Sequence, residues 1–425
     1  MKILLSAYAC EPGLGSEPGV GWNWAIELTG RGHEVWVLTS GFHHREGIED
    51  YARTAKLPDR LNIVYCDLPW KFLFDRSEAI LLRYAYAYAW QFLAYHMARR
   101  LHAKENFDLV HHVTWAGARV PSLMGRLGIP FILGPIGGGE SAPWRLRVGY
   151  GWRGFVVDGL RDLSNTFLTV DPLVRRMFRQ ASWIYVTSEQ TLNLLPRRYR
   201  SKAAIHLAIG LERAWRPVQA KGGLRAINDH AELRILFVGK FLYLKGMHLG
   251  LAAFRRLMTK VPNVRLTMVG QGPEEKRWRR LADRLGVANN VEWIPKVPRA
   301  ELGSIYAGHD VFLFPSLHDP GGMVVLEALA VGLPVVCLDI GGPGEMVDPS
   351  CGRVIAVEHH QRQDVIRDIA DALIELASDG ALRQRLSGGA KERALSFDWG
   401  EQADTVYSPI DGCGTVVSEP RRQKA

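Results

Sequence analysis

Short apolar runs alternate along the chain with stretches in which apolar residues recur at helical spacing. Residues 2–9, a run ending near Thr39, 107–110, 130–133 and the start of 183–191 read as buried strands in the first half. Residues 233–239, 264–270, 290–297, 311–315 and 334–338 read the same way in the second. Between them, 20–29, 77–102, 246–260, 274–285, 323–329, 362–378 and 381–395 carry the period of a helix. Strand, glycine-bearing loop and helix in repeated succession predict an α/β chain with two Rossmann-like halves.

The most informative stretch is 308–345, GHDVFLFPSLHDPGGMVVLEALAVGLPVVCLDIGGPGE. Its pattern is one β-α-β unit whose loop, 317–322, holds Asp319 and the pair Gly321 and Gly322 and feeds directly into a helix. Adjacent glycines let the backbone come close to a ligand, and the amides of a first helical turn are donors at the positive end of the helix dipole. A diphosphate would sit well there. Glu327 follows Asp319 at eight positions, more than one turn into the helix, so two carboxylates flank an anion seat. Read alone, an acid before a helix is also a simple N-cap.

This strand-loop-helix, with an acid, seven intervening residues and Glu, resembles the retaining glycosyltransferases of family 4, which have the GT-B architecture. The resemblance implies that Asp319 contacts hydroxyls of a donor sugar. It implies that the amides of Gly322, Met323 and Val324 hold sugar and phosphate groups, and that Glu327 binds the ribose of a nucleotide. The family's first acid is usually Glu, so Asp319 is one methylene short. In GKFLYLKG, Lys245 matches a phosphate-binding lysine, and Lys240 stands where the family has Arg, giving a point charge in place of a bidentate fork. Lys296 and Val297, at the end of the strand read at 290–297, correspond to residues framing the base. Gly15 and Ser16, in the first glycine-rich loop, correspond to the approach to the diphosphate from the other domain. The turn GGPGE at 341–345 is expected at the same site.

The resemblance also sets the expected division of the chain. Residues 1–208 form a first, acceptor-side domain and 209–395 a second, donor-side domain; IHLAIGLERAWRP at 205–217 resembles the family's interdomain connection, and the polar, glycine-containing stretch 219–232 reads as a linker or loop at the boundary. Residues 396–408, containing FDWGEQADTVY at 397–407, form a helix crossing back to the first domain, and 409–425 a disordered tail. The donor is a nucleotide-diphosphate sugar acting as co-substrate, with no further cofactor and no metal. The catalytic set is Lys245, Asp319 and His112.

Histidine enters through DLVHHV. The run 107–110 predicts a strand with His111 and His112 at its carboxyl end, the edge where open α/β sheets take ligands. Family members show His at a similar place. Neighbouring strand residues point to opposite faces, which favours His112 for orienting donor or acceptor, with His111 as the acceptor-side alternative. GPIGGGE at 134–140 places Gly137 and Gly138 in a close-approach loop on the acceptor side.

Two aromatic segments change the picture of partners. Residues 69–102 put Tyr84, Tyr88, Gln91 and Tyr95 on roughly one helical face, which suits a core face and, alternatively, a membrane-interface surface. Residues 141–179 are basic and aromatic, including Trp144, Arg145, Trp152 and Arg153, and would attract anionic headgroups or an acidic acceptor.

Composition adds bounds. The chain's 425 residues exceed one ordinary core, and 47% apolar with 23% charged residues is the balance of a folded globular protein. A net charge of +9 favours anionic partners; no nucleic-acid-binding signature accompanies it. Five scattered cysteines, an odd number without metal-ligand spacing, fit a reducing cytoplasm. No stretch is long enough to span a bilayer, so a cytoplasmic enzyme with peripheral membrane contact and a glycan or lipid-linked acceptor is expected. A non-catalytic GT-B binding protein and an NAD(P)-dependent oxidoreductase are the competing readings. The glycines at 13, 15, 19 and 21 do not match the dinucleotide fingerprint of the latter.

Overall fold

The computed structural model describes residues 1–69, 80–168, 170–212, 215, 232–408 and 410. The expected stretch 219–232, all but its last residue, and the expected tail, apart from Ile410, lie outside them. By contact the chain forms two compact units, one of residues 1–139, 163–210 and 399–425, the other of 140–162 and 211–398.

In the first half of the chain the elements are β1 (Lys2–Ala7), α1 (Ser16–Gly30), β2 (Glu34–Thr39), α2 (Gly41–Thr54), β3 (Leu61–Tyr65), α3 (Ile80–Glu105), β4 (Leu109–Thr114) and β5 (Phe131–Ile136). There follow α4 (Trp152–Leu168), which begins in the second unit and ends in the first, then α5 (Pro172–Gln180), β6 (Trp183–Val186), α6 (Glu189–Leu194) and β7 (Ala203–Ile205). The strands make one parallel sheet in the order β3-β2-β1-β4-β5-β6-β7. α1 starts earlier than its apolar period announces. Its first turn, Ser16 to Pro18, is polar and so invisible to periodicity, and proline is tolerated there because the first helical amides need no partner within the helix.

α3 is a core helix. It buries Tyr86, Ala87, Trp90, Gln91, Ala94 and Ala98, and the Trp90 indole donates to the Cys66 carbonyl at 2.9 Å. The face expected to be buried is displaced from this one: Gln91 belongs to it, Tyr88 and Tyr95 flank it, and Tyr84 is exposed.

The second half runs β8 (Leu233–Val238), α7 (Met247–Met258), β9 (Val264–Val269), α8 (Glu275–Leu285), β10 (Val291–Ile294), α9 (Arg299–Ala307), β11 (Val311–Phe314), α10 (Met323–Val331), β12 (Val335–Leu338), α11 (Gly341–Met346), β13 (Gly352–Ile355), α12 (Arg362–Ser378) and α13 (Gly380–Leu395). Its parallel sheet has the order β10-β9-β8-β11-β12-β13. β11 and β12 are buried at every position, as strands covered on both faces must be. Phe237, Phe312 and Phe314 pack ring to ring along the sheet centre.

The final helix, α14 (Trp399–Tyr407), joins the first unit. The Tyr407 hydroxyl lies 2.9 Å from His111 Nδ1, the Trp399 ring meets the Trp24 ring edge to face, and Arg31 pairs with Asp404 and donates to the Gly400 carbonyl at 2.8 Å.

Candidate active site

In the second sheet the connections run outward in opposite directions from β8 and β11. The loops leaving the carboxyl ends of these two neighbours therefore border the crevice in which open α/β sheets bind ligands. The chain puts GKFLYLKG on one loop and Leu317 to Gly322 on the other. They are tied together by the Leu317 amide, which donates to the Leu244 carbonyl at 2.8 Å. Gly246 makes this junction possible. It holds φ +69°, and a Cβ there would lie 1.8 Å from the Pro315 carbonyl oxygen, so only glycine lets the turn bearing Lys245 press against the end of β11.

On that junction the Lys245 ammonium lies 2.5 Å from Asp319 Oδ2 and 4.9 Å above the Phe314 ring. Asp319 Oδ1 accepts from the amides of Gly321 at 3.2 Å and Gly322 at 2.8 Å. Burial alone would push the Asp319 carboxyl up, but Lys245 and the two amides outweigh it and hold it below the usual carboxylate range. The shorter acid thus folds back on its own loop. With two donors on Oδ1 and one on Oδ2, a single accepting position is left on Oδ2. Gly322, at φ +78°, is the N-cap of α10. Its amide is taken by Asp319, whereas those of Met323 and Val324 have no hydrogen-bond partner among the described residues. The Gly342 amide donates to the Asp319 carbonyl at 2.9 Å, which brings the start of α11, a short helix where a turn was expected at 341–345, against the loop.

Glu327, one turn further along α10, is buried within a network that the sequence did not disclose. Its Oε1 accepts from Arg299 Nε at 3.2 Å and Nη2 at 3.0 Å, and its Oε2 from the Tyr306 hydroxyl at 3.2 Å. Arg299 also donates to both carboxylate oxygens of Glu212, at 2.8 and 3.0 Å. Burial raises the Glu327 carboxyl above its ordinary value, with Arg299 and Tyr306 opposing the push. Burial works against the Arg299 charge too, but Glu327 and Glu212 outweigh it. Glu327 Oε2 keeps one position for a further donor.

His318 was likewise passed over. Its Nδ1 lies 3.0 Å from the Glu140 carbonyl oxygen, which requires the proton on Nδ1 and leaves Nε2 an acceptor. Burial lowers its basicity, and Arg161 adds to the effect. Its position beside Asp319 in the loop was the available clue. Lys240 is exposed just past β8, Lys296 is exposed beyond β10, and Val297 is half-buried next to it.

Within the first unit, β4 corrects the reading of the histidines. The strand runs on to Thr114, with Leu5 paired to His111 and Ser6 to His112, so both residues stand within the paired strand and not past its end, and both are buried. His111 has both nitrogens engaged, by the Tyr407 hydroxyl and by the Gly134 carbonyl at 2.7 Å. Burial pushes it down to about 3 and His112 to about 4, so both rings are neutral at physiological pH. His112 Nδ1 lies 3.0 Å from Ser6 Oγ.

The other first-unit candidates lie on loops or, for Ser16, at the start of a helix. Gly15 is the N-cap of α1, and Ser16 is exposed at φ +61°, a conformation side-chain-bearing residues seldom adopt. This loop follows β1, whose neighbour β4 lies across that sheet's own switch point. The Gly137 amide donates to the Ala116 carbonyl at 3.1 Å, and the Gly138 carbonyl accepts from Arg119 at 2.7 Å.

Two family models match the chain, a glycosyl transferase 4-like domain over residues 20–208 and glycosyl transferases group 1 over 225–393. The D-inositol 3-phosphate glycosyltransferase of Saccharomonospora viridis is 28% identical over 320 residues, covering 71% of this chain and 69% of the relative. Another relative of that name is matched over about half its length. Among solved structures, the sucrose-phosphate synthase of Thermosynechococcus elongatus superposes with a TM-score of 0.60 at 18% identity, covering 97% of this chain and 98% of that one. The Anabaena protein HepE, solved with UDP-glucose, does so with 0.56 at 14% identity, covering 97% and 100%. The alternating strands and helices, the switch-point loops and the matches to both halves lead to one assignment: the chain belongs to the family 4, group 1 glycosyltransferases, with two Rossmann-like units of the GT-B kind.

Proposed function

We propose that this glycosyltransferase moves a hexose from a nucleotide-diphosphate sugar to a glycan or lipid-linked acceptor, with retention at the anomeric carbon and without a metal. The observation that carries the reading is the Lys245 and Asp319 pair beside the open amides of Met323 and Val324 at the second sheet's switch point. The UDP-glucose complex of the Anabaena protein supports a nucleotide-sugar donor.

In this reading the diphosphate lies against Lys245, Lys240 and the α10 amides, and the ribose donates to Glu327 Oε2. A sugar hydroxyl donates to Asp319 Oδ2, and Gly321 and Gly322 shape the loop around it. Lys296 and Val297 flank the base. The bond from the anomeric carbon to the diphosphate oxygen breaks, the acceptor oxygen bonds to that carbon on the same face, and the acceptor proton passes to the departing diphosphate. Lys245 and the amides hold charge where it grows, the most effective use of fixed donors. The first unit receives the acceptor near His112, Gly137 and Gly138. His111, with both nitrogens taken, acts as a structural link.

Glu327→Ala tests the donor site. Nucleotide affinity is expected to fall by about ten- to a hundredfold, the worth of about 1.5 to 3 kcal/mol for a hydrogen bond to a charged group. Glu327→Gln, which keeps the shape and lowers the cost of leaving Arg299 beside Glu212 alone, should show the smaller loss. Unchanged affinity in the folded variants would remove Glu327 from the site. Transfer of labelled sugar in the presence of a chelator is expected to continue at its full rate, and strong inhibition would show that a metal carries charge assigned here to Lys245.

We place the enzyme in the cytoplasm, in polysaccharide or glycolipid biosynthesis, reaching its acceptor at an anionic membrane surface.

A further inference from the structure

Helix α4 is turned inside out. At 3.6 residues per turn, Trp152, Phe155, Val156, Leu160, Leu163 and Phe167 fall within an arc of roughly 140°, and every one of them is exposed, Trp152 at 74%. The opposite arc carries Gly154, Asp158, Asn165 and Leu168, all buried. Among the described residues sixteen large apolar side chains are exposed, and nine of them lie between 144 and 170. Scattered exposure is ordinary, but concentration of this kind on one helix marks an interaction surface.

The charges are sorted in the same sense. Asp158 is buried, 2.7 Å from Arg161 and 3.2 Å from the Tyr243 hydroxyl. Asp162 is held at 2.6 Å by the buried Arg147, whose guanidinium also donates to the Ala142 carbonyl. Both acids of the helix are therefore neutralised by arginines on its inner side. Arg153 is the charged residue left exposed on the helix, and half-exposed Arg145 precedes it.

We infer that the outer face of α4 is the surface by which this protein lies on an anionic lipid bilayer. The assignment rests on the proposed reading only in that a lipid-linked acceptor gives it a purpose. An amphipathic helix with aromatic and aliphatic residues on one face and cationic flanks seats in the boundary between headgroups and acyl chains, and tryptophan favours that depth. No described helix is long and apolar enough to cross a membrane, so the contact is parallel to the surface. A second copy of the chain fits less well, because it would bring arginine against arginine with no acid to answer, whereas anionic headgroups supply the missing charge.

The test is flotation of the full chain with vesicles of phosphatidylcholine, with and without phosphatidylglycerol, at low and high salt. Wild-type protein is expected to float with the anionic vesicles at low salt and to be partly released by salt. Arg153→Ala should lower the partition onto anionic vesicles by about fivefold, the effect of one basic residue near such a surface. The triple variant Phe155→Ser, Leu160→Ser, Leu163→Ser should stay at the bottom of the gradient while keeping its melting temperature and its nucleotide binding, since these side chains already face solvent. Wild-type protein unbound at both salts, or a triple variant that floats as well as wild type, would overturn the assignment. So would a lipid-free dimer that the triple variant converts to monomer. Loss of nucleotide binding in the Glu327 variants bears on the donor site and leaves this assignment untouched.

Discussion

Sugar transfer by a Lys245→Ala enzyme is expected to be about a hundred- to a thousandfold slower than by the parent, the usual loss when one preorganised donor to a developing charge is removed. The ammonium is fixed before any ligand arrives, 2.5 Å from Asp319 and over the Phe314 ring. It need not reorganise as the diphosphate departs, so its contribution is greatest at the transition state. Affinity for the nucleoside, which lacks phosphate, should change little. Single-turnover rates and nucleoside titrations on the same preparation separate the two quantities, and Lys245→Gln provides a variant of similar length without the charge. A near-normal rate in a folded Lys245→Ala protein would place Lys245 outside the reacting centre.

Substitution of Gly246 by alanine should be the most damaging change to stability near the site. Gly246 and Gly286 have nearly the same backbone conformation, φ +69° and +68°, so alanine meets the same left-handed cost of about 1 to 2 kcal/mol at either. They differ in room. A Cβ at Gly286 has nothing within 4 Å, whereas at Gly246 it would lie 1.8 Å from a backbone oxygen of the strand end that carries the Asp319 loop. Gly246→Ala is therefore expected to cost about 3 to 5 kcal/mol, and to lower the melting of the second unit by about 10 °C. Gly286→Ala should show only the smaller loss. Equal shifts in the two variants, followed by calorimetry, would mean that the junction between the β8 and β11 loops yields more readily than its geometry indicates.

The part of the site that was legible is the part whose members are close in sequence. Asp319, Gly322, Met323, Val324 and Glu327 share one loop and one helix, and the buried strands on either side leave apolar runs that cannot be mistaken. Arg299 and Glu212 were not legible, because they stand 28 positions from Glu327 and 87 from each other respectively, in segments with no pattern of their own. β4 misled for a related reason. LVHHVT looks like a strand that stops at its histidines, yet all six residues are buried, and His111 can be because Tyr407, 296 positions away, and Gly134 satisfy its nitrogens. The orientation of α4 was also beyond periodicity. A helical period identifies two faces without saying which turns inward, and here Arg147, Arg161 and Tyr243 draw the polar one in.

Because α14 packs within the first unit, that unit cannot be finished when its sheet leaves the ribosome. The nascent chain must carry Trp24, Arg31 and His111 through synthesis of nearly two hundred intervening residues before Trp399, Asp404 and Tyr407 emerge to meet them. A stop codon shortly before residue 399 would spare every residue assigned to the donor yet leave a buried imidazole without its hydroxyl partner and a tryptophan without its neighbour. Such a truncated product should be a client of chaperones and proteases, and not a half-enzyme with a working nucleotide site.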